Sequence, residues 1–121
     1  MNPLVSVIMP AYNAEKYIEE AIQSVLYQTY ENLELVIVED SSTDNTLDKI
    51  LKFQDSRIRL AQNKKNEGIS YSTNKAIQMS CGKYLALLDD DDVSMPDRIK
   101  KQVNYLEKNK AVDILGGRTI Y

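Results

Sequence analysis

The sequence predicts an α/β protein: a mostly parallel sheet with helices on both faces, in one domain of 121 residues. Two observations carry this expectation. Short runs rich in β-branched residues alternate along the chain with apolar residues at helical spacing. The run "KYLALL" is continuously apolar, the pattern of a strand covered on both faces.

The elements follow in order. Leu4 to Met9 reads as a first strand, closed by Pro10. Tyr17, Ile18, Ala21, Ile22, Val25 and Leu26 recur at helical spacing between Ala14 and Tyr27, with Asn13 as the N-cap. Leu33 to Val38 is a second strand. Ser42 to Asp44 then offer caps for a helix whose apolar stripe is Leu47, Ile50 and Leu51. "RIRLAQ" forms a third strand, and Ile69, Thr73, Ala76 and Ile77 line a third helix. After "KYLALL", Pro96 suits the first turn of a fourth helix that turns Ile99, Val103 and Leu106 inward. Asp97 falls in the same turn, where it favours the helix dipole. "AVDILGG" is expected to begin a fifth strand.

Composition narrows the function classes. Fifteen basic and 18 acidic residues leave a net charge of −3, which argues against a broad nucleic-acid-binding face. There is no histidine, so neither a Ser-His-Asp triad nor a His-based metal site can be built from these residues. The single cysteine, Cys81, excludes an intramolecular disulfide and reads as a small core residue in a reducing compartment. No apolar run reaches the length of a membrane span, and the N-terminus has no charged leader. A cytoplasmic location is expected, at most peripheral at the inner membrane face.

Parallel strands joined by right-handed crossovers place their C-terminal ends along one edge, where ligands bind in such sheets. The first strand ends in Pro10, Ala11, Tyr12 and Asn13, the second in Glu39 and Asp40, and the fourth in Asp89, Asp90, Asp91 and Asp92. Six acids are thus expected at one edge, with no lysine at a strand end. Acidic runs are ordinarily solvated surface, but this one directly follows a buried strand and meets a second acidic pair. Such a site suits a hard divalent cation with oxygen ligands, through which a phosphate-bearing ligand can be held. Asp92 lies nearest the next helix and reads as its cap. Other motifs fail. No Gly-x-Gly-x-x-Gly or Walker A sequence occurs, and Val93 and Ser94 break an EF-hand loop begun at Asp89.

The segments "VSVIMPAYNAEKYIEEAIQSVLYQTYENLELVIVEDSSTDNT", "NEGISYSTNKAI" and "GKYLALLDDDD" resemble, in order, the N-terminal part of the inverting family-two glycosyltransferases, whose fold is named GT-A. The resemblance covers nearly the whole chain. It implies that residues 1–121 are the nucleotide-diphosphosugar-binding part of a glycosyltransferase domain, with the acceptor-side half absent. It also implies roles. Pro10, Ala11 and Tyr12 border the nucleotide, with Tyr12 near the base. Asp40 accepts a hydrogen bond from uracil N3–H of a UDP-sugar. Asp91, with Asp89, ligates Mn²⁺ or Mg²⁺ on the diphosphate, and Asp89 or Asp90 reaches ribose or sugar hydroxyls. The acceptor is expected to be a glycan or a lipid-linked sugar. No catalytic residue is assigned, because the family's base lies in a segment beyond Tyr121. Glu107 is expected to face water and Asp113 to lie within the fifth strand, both away from the ligand edge.

This sequence departs from the family at two positions. Glu39 stands where Asp is frequent, and Thr73 where Arg is frequent. If that Arg holds the diphosphate, Lys64, Lys65 or Lys75 must supply its charge here. A non-catalytic, Mg²⁺-binding receiver-like module is the alternative, since it too gathers acids at strand ends. Such a module places an acidic pair after its first strand, where this chain has Pro-Ala-Tyr-Asn. Exposed apolar residues around Val112, Ile114, Leu115 and Ile120 predict a homo-oligomer.

Overall fold

The computed structural model describes residues 2–116. Four strands, β1 (Val5–Ala11), β2 (Leu33–Glu39), β3 (Ile58–Gln62) and β4 (Tyr84–Leu87), form one sheet in the order β3-β2-β1-β4. Every pairing is parallel. The helices are α1 (Ile18–Leu26), α2 (Thr46–Leu51), α3 (Ile69–Met79) and α4 (Arg98–Lys108). No described helix is long and apolar enough to cross a membrane.

The period-two alternation of the strands divides the core in two. Val5, Val7 and Met9 of β1 and Leu33, Leu35 and Ile37 of β2 point to one face. There they pack with Ile18, Ile22 and Val25 of α1, Ile50 of α2, and Ile99 and Val103 of α4. Ile8, Val36 and Val38 point to the other face, where they meet Ala76 of α3, with Ala61 and Met79 beside them. Helices thus cover both faces, as expected, but three lie on one face and one on the other.

This imbalance corrects the reading of "KYLALL". Only Ala86 and Leu88 of that run are buried, while Leu85 and Leu87 are 46% and 60% exposed. The register pairs Ser6 with Leu85 and Ile8 with Leu87, so both leucines share the α3 face. Helix α3 packs over β1 and β2, leaving the flanking strand bare on that side.

Other boundaries shift for local reasons. Helix α1 begins at Ile18 rather than Ala14. Asn13 is not its cap: it has φ of 47°, a conformation Asn tolerates, and its side-chain oxygen accepts a hydrogen bond from Thr43 N at 2.9 Å. Pro96 and Asp97 precede α4, which starts at Arg98. The Asp97 carboxylate accepts from Thr29 Oγ1 at 2.9 Å rather than capping the helix. No strand forms over residues 111–116, and Gly117 lies outside the described residues. Cys81 is exposed, not core. Its place in the α3–β4 turn is set by backbone, since Cys81 N donates to Glu34 Oε2 at 2.7 Å. Glu107 is half-buried rather than facing water. It accepts hydrogen bonds from Tyr84 Oη, Lys83 Nζ and Lys110 Nζ, which tie α4 to the start of β4, far from the strand C-terminal ends.

Candidate donor-binding cleft

Backbone hydrogen bonds stagger the strand ends into a shelf. Asp40 N donates to Ala11 O, Asn63 N to Glu39 O, and Leu88 N to Ile8 O. Strand β4 stops alongside Ile8, three residues before β1 ends, so the acidic run curls back past the end of β1. An open cleft of about 440 Å³ forms there. Pro10, Ala11, Tyr12, Asp40, Asp89, Asp90 and Asp91 all line it. The sequence reading therefore named a set of residues that the fold brings together.

Asp40 is 3% exposed and deeply bonded. Its Oδ1 accepts from Asn63 Nδ2 and from Glu67 N, both at 2.8 Å, and its Oδ2 accepts from Gly68 N at 2.9 Å. Burial opposes its ionisation. The hydrogen bonds from Glu67, Asn63, Gly68 and Ser72 overcome that cost and hold the carboxyl below the usual range. Asp40 is therefore a charged, acceptor-only group at one end of the cleft.

The other end is acidic without internal relief. Asp89, Asp91 and Asp92 each present a carboxylate oxygen, and these oxygens lie within 4.8 Å of one another. Asp92 N donates to Asp89 O at 3.1 Å, closing a turn that brings Asp92 back beside Asp89. Asp92 is thus no helix cap, since α4 begins six residues later. Asp89 is pushed up by partial desolvation and by the charges of Asp92 and Asp91. Three crowded, exposed carboxylates offer the hard oxygen donors that Mn²⁺ or Mg²⁺ takes, and a cation there would offset their repulsion. Asp90 turns away from the cluster. Its Oδ2 accepts from Tyr12 N at 2.9 Å, which clips the acidic turn to the end of β1. Its carboxyl is raised by burial, an effect the Tyr12 hydrogen bond partly offsets.

Two expectations about charge change. Glu39 is buried and its Oε1 accepts from Ser42 N at 2.8 Å, so it closes the β2–α2 turn and does not line the cleft. No lysine or arginine lines the cleft among the described residues. Lys75 donates to Asn63 Oδ1 at 3.0 Å, and Lys65 lies 3.8 Å from Glu67. Arg98 is anchored on Leu87 O and Ser94 Oγ, both at 3.1 Å, within electrostatic reach of Asp92.

Asn66, Gly68, Ile69 and Ser72 also line the cleft and were assigned no role from sequence. The available signal was "NEGIS": Gly68 sits at φ of 94°, a conformation L side chains rarely adopt, and its N–H meets Asp40.

Comparison with known proteins places the chain among glycosyltransferases in sequence and in fold. The chain is 47% identical over 116 residues to an uncharacterised glycosyltransferase of Haemophilus influenzae, covering 94% of this chain and 36% of that protein. It is 42% identical over 117 residues to WfgD of Escherichia coli, named a UDP-Glc:α-D-GlcNAc-diphosphoundecaprenol β-1,3-glucosyltransferase, covering 97% of this chain and 46% of that one. The chain thus spans less than half the length of either relative. S. aureus TarS in complex with UDP-GlcNAc superposes with a TM-score of 0.83 at 30% identity, over 88% of this chain and 32% of TarS. The mannosyltransferase PcManGT of Pyrobaculum calidifontis, solved with GDP-Man and Mn²⁺, gives 0.81 at 27% identity, over 88% of this chain and 33% of that one. The family profile described as "Glycosyl transferase family 2" matches residues 6–121, and the chain belongs to that family.

Proposed function

We propose that this chain is the donor-binding part of an inverting glycosyltransferase that takes a UDP-sugar together with Mn²⁺ or Mg²⁺. The observation that carries the reading is the polarity of the cleft. One end offers an ionised, hydrogen-bonded acceptor, Asp40, and the other a carboxylate triad, Asp89, Asp91 and Asp92. A nucleotide diphosphate has the matching order: a base with N–H donors, then a diphosphate that a cation can bridge. A bound cation would stabilise the charge that grows on the departing nucleoside diphosphate. The protein's own part is to orient. Tyr12 and Ala11 border the nucleotide, Asp40 fixes the base, and Asp90 locks the acidic turn to β1 through Tyr12 N.

The acceptor is a glycan or lipid-linked sugar, a reading supported by the diphosphoundecaprenol substrate in the name of WfgD. A soluble or peripheral position on the cytoplasmic side follows from that choice. The base that takes the acceptor's proton lies beyond Tyr121. In support, Glu107 is engaged on Tyr84 and Lys83 at the far end of β4. Family membership favours this reading over a receiver-like module.

Calorimetric titration of UDP with and without Mn²⁺ tests the reading. Asp91→Ala should lose most of the Mn²⁺-dependent affinity while keeping the parent's circular dichroism. Equal binding by variant and parent would remove Asp91 from the metal site.

A further inference from the structure

Arg98 lies behind the acidic turn and does not line the cleft. Its side chain makes a fork of contacts. Nη2 donates to Leu87 O and Nη1 to Ser94 Oγ, both at 3.1 Å, and Nε donates to Gln102 Oε1 at 3.2 Å. Leu87 stands two residues before Asp89, and Ser94 two residues after Asp92. One rigid, planar group therefore joins the two ends of the acidic run. All three acceptors are neutral, so these bonds take up none of the oxygens of Asp89, Asp91 and Asp92.

The base of this staple is fixed on α1 and the residues after it. Ser94 N donates to Ser24 Oγ at 3.0 Å, and Gln28 Nε2 to Met95 O at 2.7 Å. Thr29 N donates to Pro96 O at 2.9 Å, and Ile99 N to Gln28 Oε1 at 3.1 Å. Gln28 and Ser94 are both buried. Residues 94–99 thus cannot follow an opening of the turn without breaking buried hydrogen bonds. The three carboxylates, left to themselves, repel and spread. Gathering them as a cation binds would cost affinity, and a turn gathered in advance avoids that cost. We propose that Arg98 is a positioning residue for the cation site, its guanidinium holding Asp89, Asp91 and Asp92 together by stapling the two ends of their turn. This inference rests on the reading of that triad as the metal site.

The charge of Arg98 alone makes the opposite prediction, because a nearby cation repels Mn²⁺ and its removal would tighten binding. Mn²⁺ binding to the 121-residue chain, read from the electron paramagnetic resonance signal of the free ion, decides between them. Arg98→Met should weaken Mn²⁺ by about tenfold, the scale of one lost hydrogen bond to a charged group. Arg98→Lys keeps the charge but replaces the fork by a single point donor, and should weaken Mn²⁺ as well. Ser94→Ala keeps the guanidinium and removes one arm of the staple, and should weaken Mn²⁺ by about threefold. Thermal melting of the metal-free variants runs alongside. A merely structural residue would lower the melting temperature and leave the folded protein's affinity for Mn²⁺ unchanged. Unchanged or tighter binding by Arg98→Met, or parent affinity in Arg98→Lys, would overturn the proposal. Should Arg98→Met not fold, Arg98→Lys and Ser94→Ala decide, and parent affinity in either overturns it. Asp91→Ala separates the two readings. If it loses Mn²⁺ while the Arg98 variants keep it, only the positioning role is wrong. If Asp91→Ala binds Mn²⁺ as the parent does, the triad is not the metal site and both readings fall.

Discussion

Asp40 and Asp89 line the same cleft, yet their surroundings drive their carboxyl groups in opposite directions. For Asp40, burial is outweighed by hydrogen bonds from Glu67, Asn63, Gly68 and Ser72, so its folded pKa lies below the ordinary value. For Asp89, desolvation and the charges of Asp92 and Asp91 raise it. The linkage signs differ accordingly. Asp40 contributes stability at pH values above the ordinary carboxyl pKa of about 3.9, and loses it as the pH falls through its lower folded value. Asp89 costs stability at neutral pH, and that cost fades as the pH falls through its raised folded value. Thermal unfolding of the metal-free protein should therefore show Asp40→Asn melting lower than the parent at neutral pH, with the deficit shrinking below about pH 4. Asp89→Asn should melt higher at neutral pH, with the gain shrinking on acidification. A lower melting point for Asp89→Asn at neutral pH would mean that the acidic turn carries no electrostatic strain. The sequence showed that both residues are acidic and at strand ends. The sign of each shift came from the folded surroundings: for Asp40 from Glu67 and Asn63, distant in the chain, and for Asp89 from its desolvation and the turn that brings Asp92 back beside it.

Strand β4 is the element on which the acidic turn depends, and its start is set by a close approach. Gly82 N donates to Ser6 Oγ at 2.8 Å, and Ser6 Oγ donates to Glu34 Oε2 at 2.5 Å. Arg59 Nη1 lies 3.2 Å from Glu34 Oε1, so this buried acid is paired and hydrogen-bonded. A Cβ on Gly82 would lie 2.6 Å from Ser6 N and 2.9 Å from Leu4 O. Both are backbone atoms of the neighbouring segment and cannot swing aside. Gly82→Ala should therefore destabilise the fold by about 1–3 kcal/mol, the cost of overpacking a well-filled site. Chemical denaturation would measure it as a lower midpoint at unchanged slope. An unchanged midpoint would mean that β4 shifts freely against β1. Periodicity found every observed strand and helix. It erred at the beginning of α1, where Asn13 bonds Thr43 across a loop, and at residues 111–116, where an apolar run has no neighbouring strand to pair with among the described residues.

At the scale of the whole molecule, among the described residues three helices cover one face of the sheet and only α3 covers the other. Leu85 and Leu87 stand bare beside Ile77, which is also exposed, and Ile114 is 91% exposed nearby in the chain's last described stretch. Ile120 lies outside the described residues. Contiguous apolar surface of this kind favours association. The 121-residue chain is expected to self-associate with rising concentration, and Leu87→Lys should shift light-scattering masses toward the monomer. Identical masses for parent and variant across a concentration series would show that this face is not the contact.

From the sequence alone came the α/β class, a mostly parallel sheet, the family resemblance and the cleft positions Pro10, Ala11, Tyr12, Asp40 and Asp89 to Asp91. The class, the sheet and the strand-end positions were legible because they depend on local periodicity and on a topological rule that sends every parallel strand end to one edge. The family was legible through the resemblance of three motif segments. Only the tertiary structure decided that Glu39 turns inward, that Asp92 joins Asp89 and Asp91, that Asp90 clips Tyr12, and that Asn63 and Lys75 stand behind Asp40. Hydrogen bonding and charge repulsion act between atoms a few ångströms apart. Tyr12 and Asp90, 78 positions apart, and Asp40 and Asn63, 23 apart, reach that range only once the sheet has formed. The Glu39 and Asp92 turns are short-range but take their direction from the strands they follow.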